Sequence, residues 1–153
     1  MPSPRGSSRV ALAATSENGF TLLELLTVLV IIGILAGVAL PSFLSQKEKA
    51  NDGAAKVLVR TAETASEAYS TDHAGSYTGL SIAELRAVEP ALKETNVAEL
   101  IVAQPLSGGK GYLLEVKAIA DGSTFAIERE AGGATVRSCA PEKRGGCPAG
   151  GHW

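Results

Sequence analysis

Positive charge is in short supply in this chain of 153 residues: 14 Lys and Arg stand against 16 Asp and Glu, for a formal net charge of −2. That balance argues against a protein that coats nucleic acid, because phosphate binding needs a basic surface and releases counterions. The small cluster Arg137, Lys143 and Arg144 reads as ordinary solvated charge, so a nucleic-acid partner is unsupported. Aromatic residues are scarce as well, with three Phe, three Tyr and one Trp, so any core built here is thin. Catalytic constellations are missing. Glu63 and Glu67 lie one helical turn apart and read as a solvated helix face, while His73 beside Asp72 reads as turn chemistry. The segment Ser107-Gly108-Gly109-Lys110-Gly111 lacks the G-x-x-x-x-G-K-[ST] order that a phosphate loop requires. Residues 131 to 153 offer Glu142 as their one carboxylate, too few oxygen ligands for a calcium loop. No enzymatic activity, cofactor or metal is expected.

What the sequence does have is one uninterrupted apolar run. Residues Phe20 to Leu40 read FTLLELLTVLVIIGILAGVAL, with Glu24 as the single charge. As a helix this run is roughly 31 Å long, the thickness of a bilayer's hydrocarbon core. It is a membrane-spanning candidate. Residues 1 to 19 before it are small and polar apart from Val10 to Ala14, carry Arg5, Arg9 and Glu17, and read as a leader. Gly33 and Gly37 followed by Pro41 loosen the end of the run, since Gly weakens a helix and Pro lacks the N–H that bonds one turn back. Gly33 and Gly37 also form a G-x-x-x-G pair, which permits close helix approach in a membrane.

Beyond Pro41 the pattern becomes amphipathic: Ala55, Leu58, Val59, Ala62, Ala65 and Tyr69 recur three or four apart, with Lys47, Glu48, Lys49, Arg60, Glu63 and Glu67 at other positions. The spacing predicts one helix of about 50 residues, a transmembrane half at 20–40 and an amphipathic half at 41–71. A small α+β head then occupies 72–153. Ser81 and Glu84 have capping-box spacing and predict a short helix to about Val88, stopped by Pro90. Strands are expected over 97–103, 111–119 and 124–130, with a fourth over 134–138, in an antiparallel sheet that the amphipathic half-helix covers. Cys139 and Cys147 lie beyond the apolar run; outside the cytoplasm they pair naturally as a disulfide, the alternative being a loose metal site with His152.

The hexapeptide Gly19-Phe20-Thr21-Leu22-Leu23-Glu24, joined directly to the apolar run, resembles the processing site of type IV pilins and pseudopilins. The resemblance is densest over residues 19 to 60 and only architectural from Tyr77 onward. It implies cleavage after Gly19 by a prepilin peptidase, methylation of the new amine on Phe20, and filament assembly through Phe20 and Glu24. In that family the glutamate is thought to pair with the N-terminal amine of a neighbouring subunit. The resemblance further implies a homo-oligomeric helical filament, an assembly ATPase and a platform membrane protein as partners, and residence in the inner membrane before assembly into an extracellular or periplasmic filament. It also favours a C-terminal disulfide between Cys139 and Cys147. The leader departs from the simplest pilin leaders in its 19 residues and in the distance of Arg5 and Arg9 from Gly19.

Three functional readings compete. The first is the structural subunit of a type IV pilus, and the second a pseudopilin of a type II secretion or DNA-uptake system. The third is a secreted soluble binding protein whose ordinary signal peptide is cut after Ala39, a reading that leaves Gly19 and Glu24 without a role.

Overall fold

The computed structural model describes residues 19–153; the expected leader, apart from Gly19, lies outside the described residues. The chain forms two compact units divided between Val38 and Ala39. Helix α1, Leu22–Asp72, is 51 residues long and contributes to both. In the first unit it is apolar apart from Glu24 and Thr27, and its most apolar stretch has a mean hydropathy of 2.6 with none of it buried by the protein. A soluble protein would cover such side chains; the length and composition here suffice to cross a membrane.

In the second unit α1 meets a four-stranded antiparallel sheet in the order β1-β2-β3-β4. The strands are β1 Ala98–Leu106, β2 Gly111–Ala118, β3 Thr124–Arg129 and β4 Thr135–Ala140. Strict alternation decides which face is buried. Tyr112, Leu114, Val116 and Ala118 of β2 point one way with Phe125 and Ile127 of β3, and all are fully buried. They pack with Ala55, Val59, Ala62, Ala65 and Tyr69 of α1 in one apolar cluster. Burying a side chain the size of Leu114 or Ile127 contributes about 1.5–3 kcal/mol. The small residues Ala55, Ala62 and Ala65 let α1 lie close to the sheet, which is how so few aromatics suffice.

Helix α2, Ile82–Val88, starts at Ser81, whose side chain accepts from the Glu84 N–H as the capping-box spacing predicts. Pro90 ends the helix and opens a 3-10 turn, Pro90–Lys93, with Glu89 as its N-cap, an element the sequence reading did not anticipate. The strands run close to expectation, with β1 extending three residues further, through Pro105. That is tolerated because β1 lies at the sheet edge, where a missing N–H leaves no ladder bond unmade. A bulge falls at Ile101, between the paired residues Leu100 and Val102. The Gly-rich stretch that superficially evokes a phosphate loop is the β1–β2 hairpin turn: Ser107, Gly108 and Gly109 all have positive φ. A Cβ on Gly109 would collide with Thr78.

Candidate functional site

The start of α1 is set by its own sequence. Thr21 precedes the first helical residue, and its Oγ1 accepts from the Glu24 N–H at 3.1 Å. This caps one of the four free N–H groups of a helix N-terminus. Thr21-x-x-Glu24 thus has the same spacing as Ser81-x-x-Glu84, a signal that the sequence reading applied only to the second pair. Glu24 falls in the first helical turn, where a carboxylate faces the positive end of the helix dipole. Around it everything is apolar and bare: Phe20 is 79% exposed, Leu22 82% and Leu23 73%. Among the described residues nothing cationic lies within ion-pair distance of Glu24. A carboxylate in such a setting costs on the order of 3 kcal/mol to hold in lipid, less near the membrane edge, so it calls for a counter-charge.

Gly33 and Gly37 expose open backbone, with nothing within 4 Å of where a Cβ would sit. α1 continues through Pro41 without a break. Thr27 bonds back to the Leu23 carbonyl at 2.8 Å, so its hydroxyl is satisfied inside the helix and adds no demand for water.

In the second unit Cys139 and Cys147 are bonded, with Cα atoms 5.7 Å apart and a sequence separation of 8. No group of three or more His, Cys, Asp or Glu among the described residues could hold a metal. The bonded loop docks on α1 through a side chain the sequence reading passed over. Asp52 is fully buried and accepts from the Gly146 N–H at 2.5 Å, while Lys56, one turn on, donates to the Gly146 carbonyl at 2.6 Å. Gly145 has φ +53, and a Cβ there would run into the Asp52 carboxylate. Burial pushes the Asp52 carboxyl above the usual carboxylate range, and Asp121 and Glu48 add to this; the Gly146 hydrogen bond and Lys56 oppose it. Trp153 completes the closure, its indole N–H donating to the Ser138 carbonyl at 2.9 Å beneath Lys56, Arg60 and Arg137.

The expected acidic helix face is also more structured than the sequence suggests. Glu67 accepts from Tyr77 Oη at 2.8 Å and Tyr112 Oη at 3.0 Å, with Arg129 3.6 Å away. Burial and that carboxylate hold the Tyr112 phenol well above the ordinary tyrosine range. Glu63 pairs with Arg137 at 3.5 Å. These acids join helix to sheet. His73 stacks on Tyr69 and bonds to its carbonyl at 2.8 Å, the turn role expected of it.

The family description "Prokaryotic N-terminal methylation motif" matches residues 15–40. Among similar proteins, the type II secretion system core protein G of Escherichia coli is 39% identical over 61 residues, 40% of this chain and 42% of that protein. The type IV wide pilus major component PilA4 of Thermus thermophilus is 43% identical over 63 residues, 41% of this chain and 47% of that one. Competence protein ComGC of Halalkalibacterium halodurans is 46% identical over 57 residues, 37% of this chain and 56% of the other. The chain thus spans about half or less of the length of these relatives. No solved structure matches it. The methylation motif, these relatives and the helix-on-sheet architecture make the chain similar, most closely over its N-terminal part, to type IV pilins and pseudopilins.

Proposed function

We propose that this chain is the structural subunit of a type IV pilus, stored in the inner membrane as a precursor, cut after Gly19 by a prepilin peptidase and methylated on Phe20. In this reading residues 20–40 are the transmembrane half of the long helix, 41–71 its amphipathic half and 72–153 the head. An assembly ATPase and a platform membrane protein drive the subunit into the filament. The observation that carries the proposal is the isolated carboxylate of Glu24 in the first turn of an otherwise apolar, uncovered helix, four residues past the start of the trimmed chain. The Phe20 amine of a neighbouring copy supplies the counter-charge that Glu24 lacks within its own chain. A desolvated pair of this sort forms only in the correct register, so it selects for correct docking. The filament has a structural role in this proposal.

The test is electron microscopy of a strain deleted for the chain: surface filaments disappear and return on complementation. Undiminished filaments in the deletion strain contradict the role of principal subunit.

A second reading, a pseudopilin of a type II secretion or DNA-uptake system, is favoured by relatives named type II secretion core protein G and competence protein. The same deletion strain separates it: export of secreted enzymes or uptake of DNA fails while surface filaments persist.

A further inference from the structure

Two exposed apolar side chains stand just beyond the apolar run, in the second unit: Phe43 is 66% and Leu44 59% exposed. Lys47 and Lys49 follow at once and mark sequence that belongs in water. Further along α1, a cavity of about 240 Å³ opens between the helix and the start of β1, lined by Ala54, Leu58, Glu94, Asn96, Val97 and Ala98. Its walls are mostly apolar, and Val97 is 45% exposed. At its rim Glu94 accepts only a long hydrogen bond from Asn96, 3.4 Å, and has no cationic partner among the described residues. Lys47 and Lys49 have no acidic partner among them either.

Unfilled groove and unsatisfied side chains share one stripe of the same helix. Positions 43, 47, 54 and 58 are spaced by four, seven and four residues, the period of a single helix face. Phe43 and Leu58 are roughly 22 Å apart along the axis at 1.5 Å per residue. No molecule can bring them together within itself. A second copy, displaced along the helix by about that length, sets its Phe43 and Leu44 level with Leu58 in the groove that Glu94 also lines, and its Lys47 about one turn beyond Leu58. Such a contact joins two different patches, so it is heterologous and repeats in an open helical array instead of closing into a dimer.

We propose that the groove lined by Ala54, Leu58 and Val97 receives Phe43 and Leu44 of a second copy of this chain, with that copy's Lys47 paired to Glu94. The proposal rests on the filament reading and names the head-level contact within it. The apolar insertion supplies the affinity and the charge pair fixes the register, since a like-charge juxtaposition at an interface costs several kcal/mol.

The test uses the full chain in cells and in sheared filaments. Cys139 and Cys147 are bonded, so a Leu44→Cys, Leu58→Cys variant presents only the two new thiols among the described residues. A bismaleimide then links copies into a ladder of multimers in filaments, whereas each single variant alone gives no ladder. Independently, Lys47→Glu changes an exposed residue that touches no core and lowers filament yield about tenfold, and adding Glu94→Lys in the same chain restores it. The detergent-solubilised Lys47→Glu and Lys47→Glu, Glu94→Lys variants keep the wild-type melting temperature. Filaments at wild-type yield with no ladder, or with full tolerance of Lys47→Glu, overturn the contact and leave the filament reading standing. Failure of the wild-type chain to enter filaments defeats both.

Discussion

Glu24 is the residue on which the proposed function turns, because it is the one charge in a segment that is otherwise apolar enough to cross a membrane. Replacing it with Ala removes one half of the proposed pair but leaves Thr21 able to cap the helix, since the hydrogen bond runs to the backbone N–H of position 24. Glu24→Ala therefore gives a fully processed chain and a filament yield lower by about tenfold or more, read by immunoblot of sheared filaments. In the proposed processing Gly19→Ala acts earlier, adding a Cβ where an extended backbone enters the peptidase, and the expected result is a precursor that accumulates with its leader attached. Asp52 makes a different prediction. Its carboxyl is raised above 3.8 in the folded head, so the folded state binds a proton more readily than the unfolded chain. Stability then rises as pH falls through the raised value and levels off below 3.8. Asp52→Asn keeps an oxygen to accept from Gly146 and abolishes the ionisation. The variant melts at or above the wild-type temperature at pH 7 and loses the gain on acidification, which calorimetry of the solubilised chain at several pH values measures.

At the scale of elements, the long helix and the sheet are the parts the sequence states most openly. Apolar spacing along α1 and strict alternation in β2 and β3 are local signals, and Ala55, Val59, Ala62, Phe125 and Ile127 fall in the core as their spacing implies. Pro105 hides the end of β1, because only the edge position of that strand makes a proline acceptable there. Asp52, Glu63 and Glu67 were illegible as structural residues for a related reason. Their partners Gly146, Arg137, Tyr77 and Tyr112 lie 10 to 94 positions away in sequence, so nothing near them announces that an acid on a helix will be tied to the rest of the head. The bonded loop at the C-terminus has an energetic role of its own. Closing a loop of separation 8 stabilises by roughly 2–3 kcal/mol through the unfolded chain. The double variant Cys139→Ser, Cys147→Ser loses about that much, and it also loosens the seat of Gly146 on Asp52 and Lys56. A lowered urea midpoint for the solubilised chain, matched by wild-type protein under reducing agent, is the expected result.

For the whole molecule, the two units ask for different solvents. One is a helix whose apolar surface its own chain leaves uncovered; the other is a sheet and helix closed around a core that water can surround. A protein divided in this way is stable with its first unit in lipid or among copies of itself, and in the proposed function moving from the one to the other requires that the Phe20 amine and the Glu24 carboxylate find partners on a neighbour. The methylation motif and the relatives agree with that logic for the N-terminal part of the chain, whereas the head follows from its own packing alone. The N-terminus of the assembled chain is where the proposed processing is read most directly. Intact-mass and fragment-ion spectrometry of the sheared filament fraction should find this chain beginning at N-methylated Phe20; a chain that still carries residues 1–19, or one that begins at Leu40 as a free soluble protein, would contradict it.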